Sequence, residues 1–193
     1  MSSYKTLDPQ NMHQSIYDFS DHIEIAMDIG KSISLNRPYA DIRNIVVAGM
    51  GGSAIGGDVV RTLAKYELNI PMVVSRNYTL PHWVNEYTLV ICSSYSGNTE
   101  ETLSAFDHAR DRGAQIVGIS TGGALTERMK ALGLDVVAIP PGLQPRAALA
   151  ISFVPMLYVL NTMGLIGTDT IGELNNAVSV SYTHLTLTTI LLV

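Results

Sequence analysis

Five short runs of apolar and β-branched residues limit what this chain can fold into. They occupy residues 44–48, 72–75, 88–92, 115–120 and 135–139, and a helical segment follows each of them except the second. Runs without polar alternation are typical of parallel strands that are covered on both faces. The pattern therefore predicts an α/β fold, a doubly wound five-stranded parallel sheet flanked by helices in three layers. In such sheets, ligands bind at the carboxyl ends of the strands.

The length and the periodicity predict how the chain is organised. A chain of 193 residues suits one domain with a sizeable core. An apolar stripe at helical spacing predicts an N-terminal helix over residues 12–36. We expect residues 1–178 to form one domain with this helix. Residues 179–193 change abruptly to threonine and leucine, and residues 180–185 (VSYTHL) resemble a translated sequencing adapter, so we interpret this tail as foreign to the domain.

Charge and cysteine usage narrow the class of protein. The net charge of −5 argues against a nucleic-acid partner, which normally requires a basic surface. Cys92 is the only cysteine, which excludes an intrachain disulfide and a cysteine-based zinc site. The N-terminus shows no secretory signal, so we predict a cytoplasmic protein. Residues 147–166 carry no charge but include proline and polar residues, and we interpret them as a buried or subunit-interface helix rather than a membrane span.

Two loops that follow strands carry the pattern of an anion site. Residues 49–58 (GMGGSAIGGD) form a glycine-rich turn that leads into a helix beginning near Ser53, and residues 93–102 (SSYSGNTEET) repeat this arrangement with hydroxyls. A phosphate monoester requires several N–H and O–H donors and the N-terminus of a helix. Within this loop, residues 93–99 offer four serine and threonine hydroxyls, whereas an ordinary helix cap would explain one or two. This density predicts phosphate binding.

The first loop also permits a rival interpretation. Its Gly-x-Gly-x-x-Ala spacing matches a dinucleotide fingerprint, although NAD would require an acidic residue about 20 residues further on. The second strand is followed instead by Arg76, which suits only the 2′-phosphate of NADP. An NADP-dependent oxidoreductase therefore stays open. Cys92 stands at the end of a strand beside hydroxyls, but a small buried thiol is more common there than a nucleophile.

Together with residues 140–149 (PPGLQPRAAL), the two loops resemble the sugar isomerase (SIS) domain. The resemblance is to the N-terminal half of bifunctional phosphoglucose/phosphomannose isomerases. It implies interconversion of glucose 6-phosphate or mannose 6-phosphate with fructose 6-phosphate, without a cofactor or a metal, in a homodimer with no membrane partner. The resemblance assigns the phosphate to Ser94, Ser96 and Thr99. It assigns the sugar to Gly51, Gly52 and Ser53. It assigns stabilisation of the cis-enediolate to Arg146.

The chain departs from this family in one respect. Such isomerases resemble a tandem of two SIS domains, and their glutamate base, ring-opening histidine and lysine come from the second domain, before which this sequence stops. We therefore expect a phosphate-binding half without the general base. The alternative is a non-catalytic sugar-phosphate-binding module, because isolated SIS domains resemble the effector modules of some regulators. We expect residues 147–166 and the N-terminal helix to supply the surface for pairing.

Overall fold

The computed structural model of the chain describes residues 7–190, and their side chains as far as Thr183. Five strands form one sheet in the order β2-β1-β3-β4-β5, and every neighbouring pair is parallel. The strands are β1 (Asn44–Ala48), β2 (Met72–Ser75), β3 (Thr88–Ser94), β4 (Gln115–Ser120) and β5 (Asp135–Ala138). The helices are α1 (Met12–Tyr17), α2 (Phe19–Lys31), α3 (Gly51–Leu63), α4 (Glu100–Asp111), α5 (Gly123–Ala131), α6 (Leu149–Thr162) and α7 (Asp169–Ile190), with a 3₁₀ turn at Ala64–Tyr66.

Successive residues of the central strands point to opposite faces of the sheet and enter two separate cores. In β1, Ile45 and Val47 belong to the larger core, which α2, α3 and α6 complete. Val46 and Ala48 belong to the smaller core, which residues of α4 and α5 complete. Helices therefore cover the sheet on both faces, which confirms the predicted three-layer α/β fold.

The strand order creates a crevice at one edge of the sheet. The chain passes from β1 outward to β2, and then returns to the other side of β1 and continues through β3, β4 and β5. The direction of winding therefore changes between β1 and β3. In doubly wound sheets this switch point is where ligands bind, and the loops after β1 and β3 are the two that the sequence singled out.

The apolar helix α6 lies inside the protein. All residues from 150 to 160 are buried, and α6 packs against α2 and α3. The contact with α2 is close, because a Cβ on Gly30 would overlap the ring of Tyr158. The expectation that residues 147–166 supply a surface for pairing is therefore wrong for residues 150–160, since these are covered within their own chain. Among the described helices, none has both the length and the apolar composition that crossing a bilayer requires.

The N-terminal helix differs from its prediction. The structure has two helices, α1 and α2, separated at Asp18, whose backbone (φ −80°, ψ 11°) leaves the helical range. The apolar stripe divides accordingly, because Ile23 and Met27 are buried whereas Ile16 is exposed. The helical segment also ends at Lys31 rather than at residue 36, and a linker without regular secondary structure leads to β1.

The last helix is capped by a side chain from a distant part of the chain. The Glu67 carboxylate accepts hydrogen bonds from the N–H groups of Gly167 (2.7 Å) and Thr170 (2.9 Å) and from the Thr170 hydroxyl. A carboxylate at this end of a helix satisfies free N–H groups and complements the helix dipole. Residues 179–190 continue α7. That residues 179–193 are foreign to the domain stays a prediction, and residues 191–193 lie outside the described part.

Asp135 holds the linker that follows α2 against the sheet. Its carboxylate accepts hydrogen bonds from the N–H groups of Asn36 (3.0 Å) and Arg37 (3.1 Å) and from the Tyr39 hydroxyl (2.9 Å). Burial acts to raise the pKa of Asp135, but these hydrogen bonds outweigh it, and the pKa lies below its usual value of 3.8. The ionised carboxylate therefore stabilises the folded state.

We expect Asp135→Asn to lower the free energy of unfolding by about 2 kcal/mol at neutral pH, because an amide replaces a carboxylate that accepts several hydrogen bonds. A lowered pKa in the folded state gives stability that is present above the unfolded pKa and lost as the pH falls through the folded pKa. The difference between wild type and variant should therefore shrink below the usual pKa of 3.8. Urea unfolding at a series of pH values measures this difference.

The control is Asp28→Asn, which removes a carboxylate paired with Lys31 on the exposed face of α2. Exposed ion pairs contribute little to stability, so this variant should unfold like the wild type. A pH-independent loss in Asp135→Asn would contradict the assigned role of the ionised carboxylate.

Candidate functional site

The loop between β1 and α3 presents main chain with little side-chain cover. Met50 is extended (φ −125°, ψ 158°), and α3 begins at Gly51, earlier than the start predicted near Ser53. The N–H groups of Gly51 and Gly52 belong to the first turn, where no carbonyl of the helix can accept them. Gly51 is exposed, whereas Gly52 and Ser53 are buried. The loop can thus donate hydrogen bonds to a group that approaches the helix end.

The second loop gathers its hydroxyls at the start of α4. The hydroxyls of Ser94 and Thr99 share a hydrogen bond of 2.9 Å, and the Gly97 N–H donates to Ser94 Oγ at 3.1 Å. The Ser96 hydroxyl accepts from the Asn98 N–H at 3.2 Å. Ser94 is buried, Ser96 is exposed and Thr99, which directly precedes α4, lies between these extremes. The loop therefore combines hydroxyls with the N-terminus of a helix, the combination that binds phosphate in other proteins.

The loop after β4 supports the second loop, which the sequence did not reveal. Gly97 adopts φ +70°, and a Cβ at this position would overlap the carbonyl oxygen of Gly122. Asn98 Oδ1 accepts a hydrogen bond from the N–H of Ala124 at 3.0 Å. The glycine pair at residues 122 and 123 lies just beyond the end of β4, at the same edge of the sheet, and this position was the available sequence signal.

The structure brings the three predicted segments together. A Cβ on Gly49 would lie 2.9 Å from the carbonyl oxygen of Ser93, so the first loop contacts the second through main-chain atoms. A Cβ on Gly52 would lie 2.5 Å from the carbonyl oxygen of Pro145, so the first loop also contacts the segment that carries Arg146. All three segments meet at the switch point between β1 and β3.

Arg146 lies at the outer side of this arrangement. It is exposed, and it is part of a turn in which the Ala147 N–H donates to the carbonyl oxygen of Gln144 at 2.8 Å. Its side chain borders two clefts, of about 360 and 400 Å³, which it shares with Met12 of α1. Among the described side chains it forms no ion pair. The structure thus brings the main chain of Arg146 to the site, and contact between its guanidinium and a ligand stays a prediction.

Tyr95 connects the second loop to the segment of Arg146, a contact for which the sequence gives no sign. Its hydroxyl donates to the carbonyl oxygen of Pro140 at 3.1 Å and accepts from the N–H of Leu143 at 2.9 Å. Its side chain is partly buried against the larger core. A tyrosine within a serine-rich loop carries no sequence signal for such a contact, because its partners are more than forty residues away.

Two of the rival interpretations lose support from the geometry. Arg76 forms an ion pair with Asp58, which also lies 3.3 Å from Arg61, so a 2′-phosphate would have to displace an existing partner. Cys92 is fully buried in the smaller core. Burial raises the pKa of its thiol to about 12, so the thiolate that a nucleophile requires is strongly disfavoured.

Comparison with known proteins gives one family. Residues 39–164 match the SIS domain. The chain is 50% identical over 155 residues to a bifunctional phosphoglucose/phosphomannose isomerase of Caldicellulosiruptor bescii, which covers 80% of this chain and 46% of that protein. A protein of the same name from Aquifex aeolicus is 42% identical over 72% of this chain and 41% of its own. The chain thus spans less than half the length of these relatives.

Solved structures extend the likeness in fold. The tagatose-6-phosphate ketose/aldose isomerase from Escherichia coli superposes with a TM-score of 0.59 at 18% identity, over 86% of this chain and 51% of that one. At this identity the likeness concerns the fold alone.

Proposed function

Because this chain belongs to the SIS domain family, we propose that it is the phosphate-binding half of a sugar-phosphate isomerase. The whole isomerase interconverts glucose 6-phosphate or mannose 6-phosphate with fructose 6-phosphate, and this chain supplies the part that binds the substrate phosphate. The observation that carries this proposal is the hydroxyl-rich loop at the switch point, with Ser94 and Thr99 in direct contact before the first turn of α4. The names of the relatives from C. bescii and A. aeolicus support the choice of substrate.

The binding mode follows from the chemistry of the two loops. Ser94, Ser96 and Thr99 donate hydroxyl hydrogen bonds to the phosphate oxygens, and the N-terminus of α4 adds N–H donors and a favourable dipole. Several hydroxyl and amide donors that converge on the phosphate oxygens bind a dianion better than any one contact could. A phosphate held there leaves the sugar to extend toward the first loop.

The sugar then lies along the first loop, where the absence of side chains allows close approach. Gly51 and Gly52 offer main-chain N–H groups, and the Ser53 hydroxyl lies in the same turn. Arg146 stabilises the negative charge that develops on the cis-enediolate. A guanidinium suits this role because it stays charged and can form two hydrogen bonds with neighbouring oxygens.

The reaction also requires a base that moves a proton between C1 and C2. The three site segments, residues 49–58, 93–102 and 140–149, contain no histidine or lysine, and their carboxylates are Asp58, Glu100 and Glu101. Asp58 is paired with Arg76. The two glutamates lie in the first turn of α4, where carboxylates complement the positive end of the helix dipole. We therefore propose that the base comes from outside residues 1–193.

We expect the purified 193-residue chain to bind glucose 6-phosphate without converting it at an enzyme-like rate. A ligand that binds only the folded state, at 100 times its dissociation constant, stabilises it by about 2.7 kcal/mol. The melting temperature should therefore rise with glucose 6-phosphate and stay constant with NADP. A coupled assay for fructose 6-phosphate measures turnover. Enzyme-like turnover would refute the missing base, and stabilisation by NADP alone would favour an oxidoreductase.

A non-catalytic sugar-phosphate-binding module is the second candidate, and the lack of a base in the three segments favours it. The two candidates differ in what the gene encodes. A reading frame that continues past codon 180 into a second serine- and threonine-rich half would make this chain part of an isomerase. A stop codon in the gene would favour the binding module.

We also propose that residues 1–178 form the SIS domain and pair as a homodimer in the cytoplasm. Since α6 is buried, the surface for pairing must come from other elements. We expect sedimentation velocity to give the mass of a dimer at micromolar concentration. A single monomeric species across the concentration range would contradict this.

A further inference from the structure

The segment from Pro140 to Arg146 is attached to the second loop by one side chain. Among the described residues, this segment makes two hydrogen bonds to other parts of the chain, and both involve the Tyr95 hydroxyl. The hydroxyl donates to the carbonyl oxygen of Pro140 and accepts from the N–H of Leu143. Three of its residues are prolines, which have no N–H to donate. The segment therefore has few other main-chain N–H groups that could replace the hydrogen bonds to the Tyr95 hydroxyl.

The main chain of Tyr95 is itself firmly held. Its carbonyl oxygen accepts from the Thr121 N–H at 3.2 Å and from the Thr121 hydroxyl at 2.7 Å. Tyr95 also stands between Ser94 and Ser96 in sequence, so its backbone is part of the hydroxyl-rich loop. Thr121, which directly follows β4, thus holds both the loop and the phenol that projects from it.

The other end of the segment lies against the first loop. The carbonyl oxygen of Pro145 contacts Gly52 so closely that a Cβ would not fit. The segment is therefore located by the Tyr95 hydroxyl near its start and by Gly52 near its end. Arg146 directly follows the second of these contacts.

We propose that Tyr95 is a positioning residue, whose hydroxyl holds the Arg146 segment in register with the phosphate loop. It does not touch the ligand, and it acts through Arg146. A ligand that orders the second loop thereby also orders the segment of Arg146. The part of this inference that concerns ligand affinity rests on the proposed function, whereas the attachment itself does not.

The attachment is tested without a ligand by hydrogen exchange of Tyr95→Phe, which removes the hydroxyl and keeps the ring. Amides in residues 140–148 should exchange about tenfold faster, because they lose two hydrogen bonds. Amides in residues 93–102 should not change. Tyr39→Phe is the matched control, since its hydroxyl bonds to Asp135 at the opposite end of the sheet. Unchanged exchange in residues 140–148 would overturn the proposal.

The coupling to Arg146 is tested by a double-mutant cycle with 6-phosphogluconate, whose C1 carboxylate places negative charge where an enediolate would carry it. We expect Tyr95→Phe to weaken binding about fivefold in the wild type and less than about twofold in the Arg146→Ala background. Affinity for inorganic phosphate should stay the same in all four proteins, because the hydroxyl loop is intact. Equal losses in both backgrounds would overturn the positioning role.

The two ideas fail in different ways. If the wild-type chain binds neither 6-phosphogluconate nor phosphate, the proposed function fails, and hydrogen exchange still decides whether Tyr95 holds the segment. If the chain binds both ligands and exchange in residues 140–148 is unaffected by Tyr95→Phe, the proposed function stands and the positioning role fails.

Discussion

Gly97→Ala should lower the free energy of unfolding by about 4 kcal/mol, the largest loss that we expect from one methyl group in this chain. Two effects add. Gly97 has φ +70°, where an alanine is strained by about 1 kcal/mol. The new Cβ would also overlap the carbonyl oxygen of Gly122, which is main chain and cannot rotate away. The loop must therefore move away from Gly122, and this movement breaks the contact between Ser94 and Thr99.

Gly113→Ala separates the two effects. Gly113 also has φ +70°, but a Cβ there would meet nothing within 4 Å. This control should therefore lose only about 1 kcal/mol and should bind glucose 6-phosphate as the wild type does. Urea unfolding gives the stabilities, and calorimetric titration gives the affinities. Equal losses of stability in the two variants would show that the contact with Gly122 is unimportant.

Ser94→Ala should weaken binding of glucose 6-phosphate about thirtyfold, equivalent to about 2 kcal/mol, with a smaller effect on stability. The Ser94 hydroxyl is buried and interacts with both Thr99 Oγ1 and the Gly97 N–H. Its removal takes away a donor to the phosphate and also releases the Thr99 hydroxyl from its partner. Because the lost contacts are to the phosphate, affinity for inorganic phosphate should fall by a similar factor.

Ser104→Ala is the control for this variant. Ser104 lies on the same helix α4 and donates its hydroxyl hydrogen bond to the carbonyl oxygen of Tyr78, outside the loop. It should bind both ligands with wild-type affinity. Calorimetric titration of the two variants provides the comparison. Wild-type affinity in Ser94→Ala would contradict the assignment of the phosphate to the second loop.

The sheet could be predicted from the sequence because burial of parallel strands leaves a direct mark on composition. Residues 44–48, 72–75 and 115–120 were predicted with the bounds that the structure has. The helices were harder, since their ends depend on local dihedral angles. The break at Asp18 illustrates this, because the apolar spacing in the sequence continues past residue 18 while the helical backbone conformation is interrupted there.

The candidate site was predictable where chemistry is concentrated in a short stretch. The hydroxyls of residues 93–102 and the glycines of residues 49–58 stood out for this reason, and the fold places both at the same crevice. The contacts of Tyr95 with Pro140 and Leu143 could not be predicted, because they join distant segments by a common side chain. The same holds for Gly122, whose role depends on the position of Gly97.

Gly30 and Gly52 are both too crowded for a side chain, yet they differ in whether a second change could repair the first. Gly30 faces the ring of Tyr158, and a smaller residue in place of the tyrosine would restore the space. Gly52 faces the main-chain carbonyl of Pro145, which every amino acid possesses. The contact between α2 and α6 can therefore change through paired substitutions. At Gly52, where the first loop contacts the segment of Arg146, no second substitution can restore the space, so the glycine must be kept as the rest of the sequence diverges.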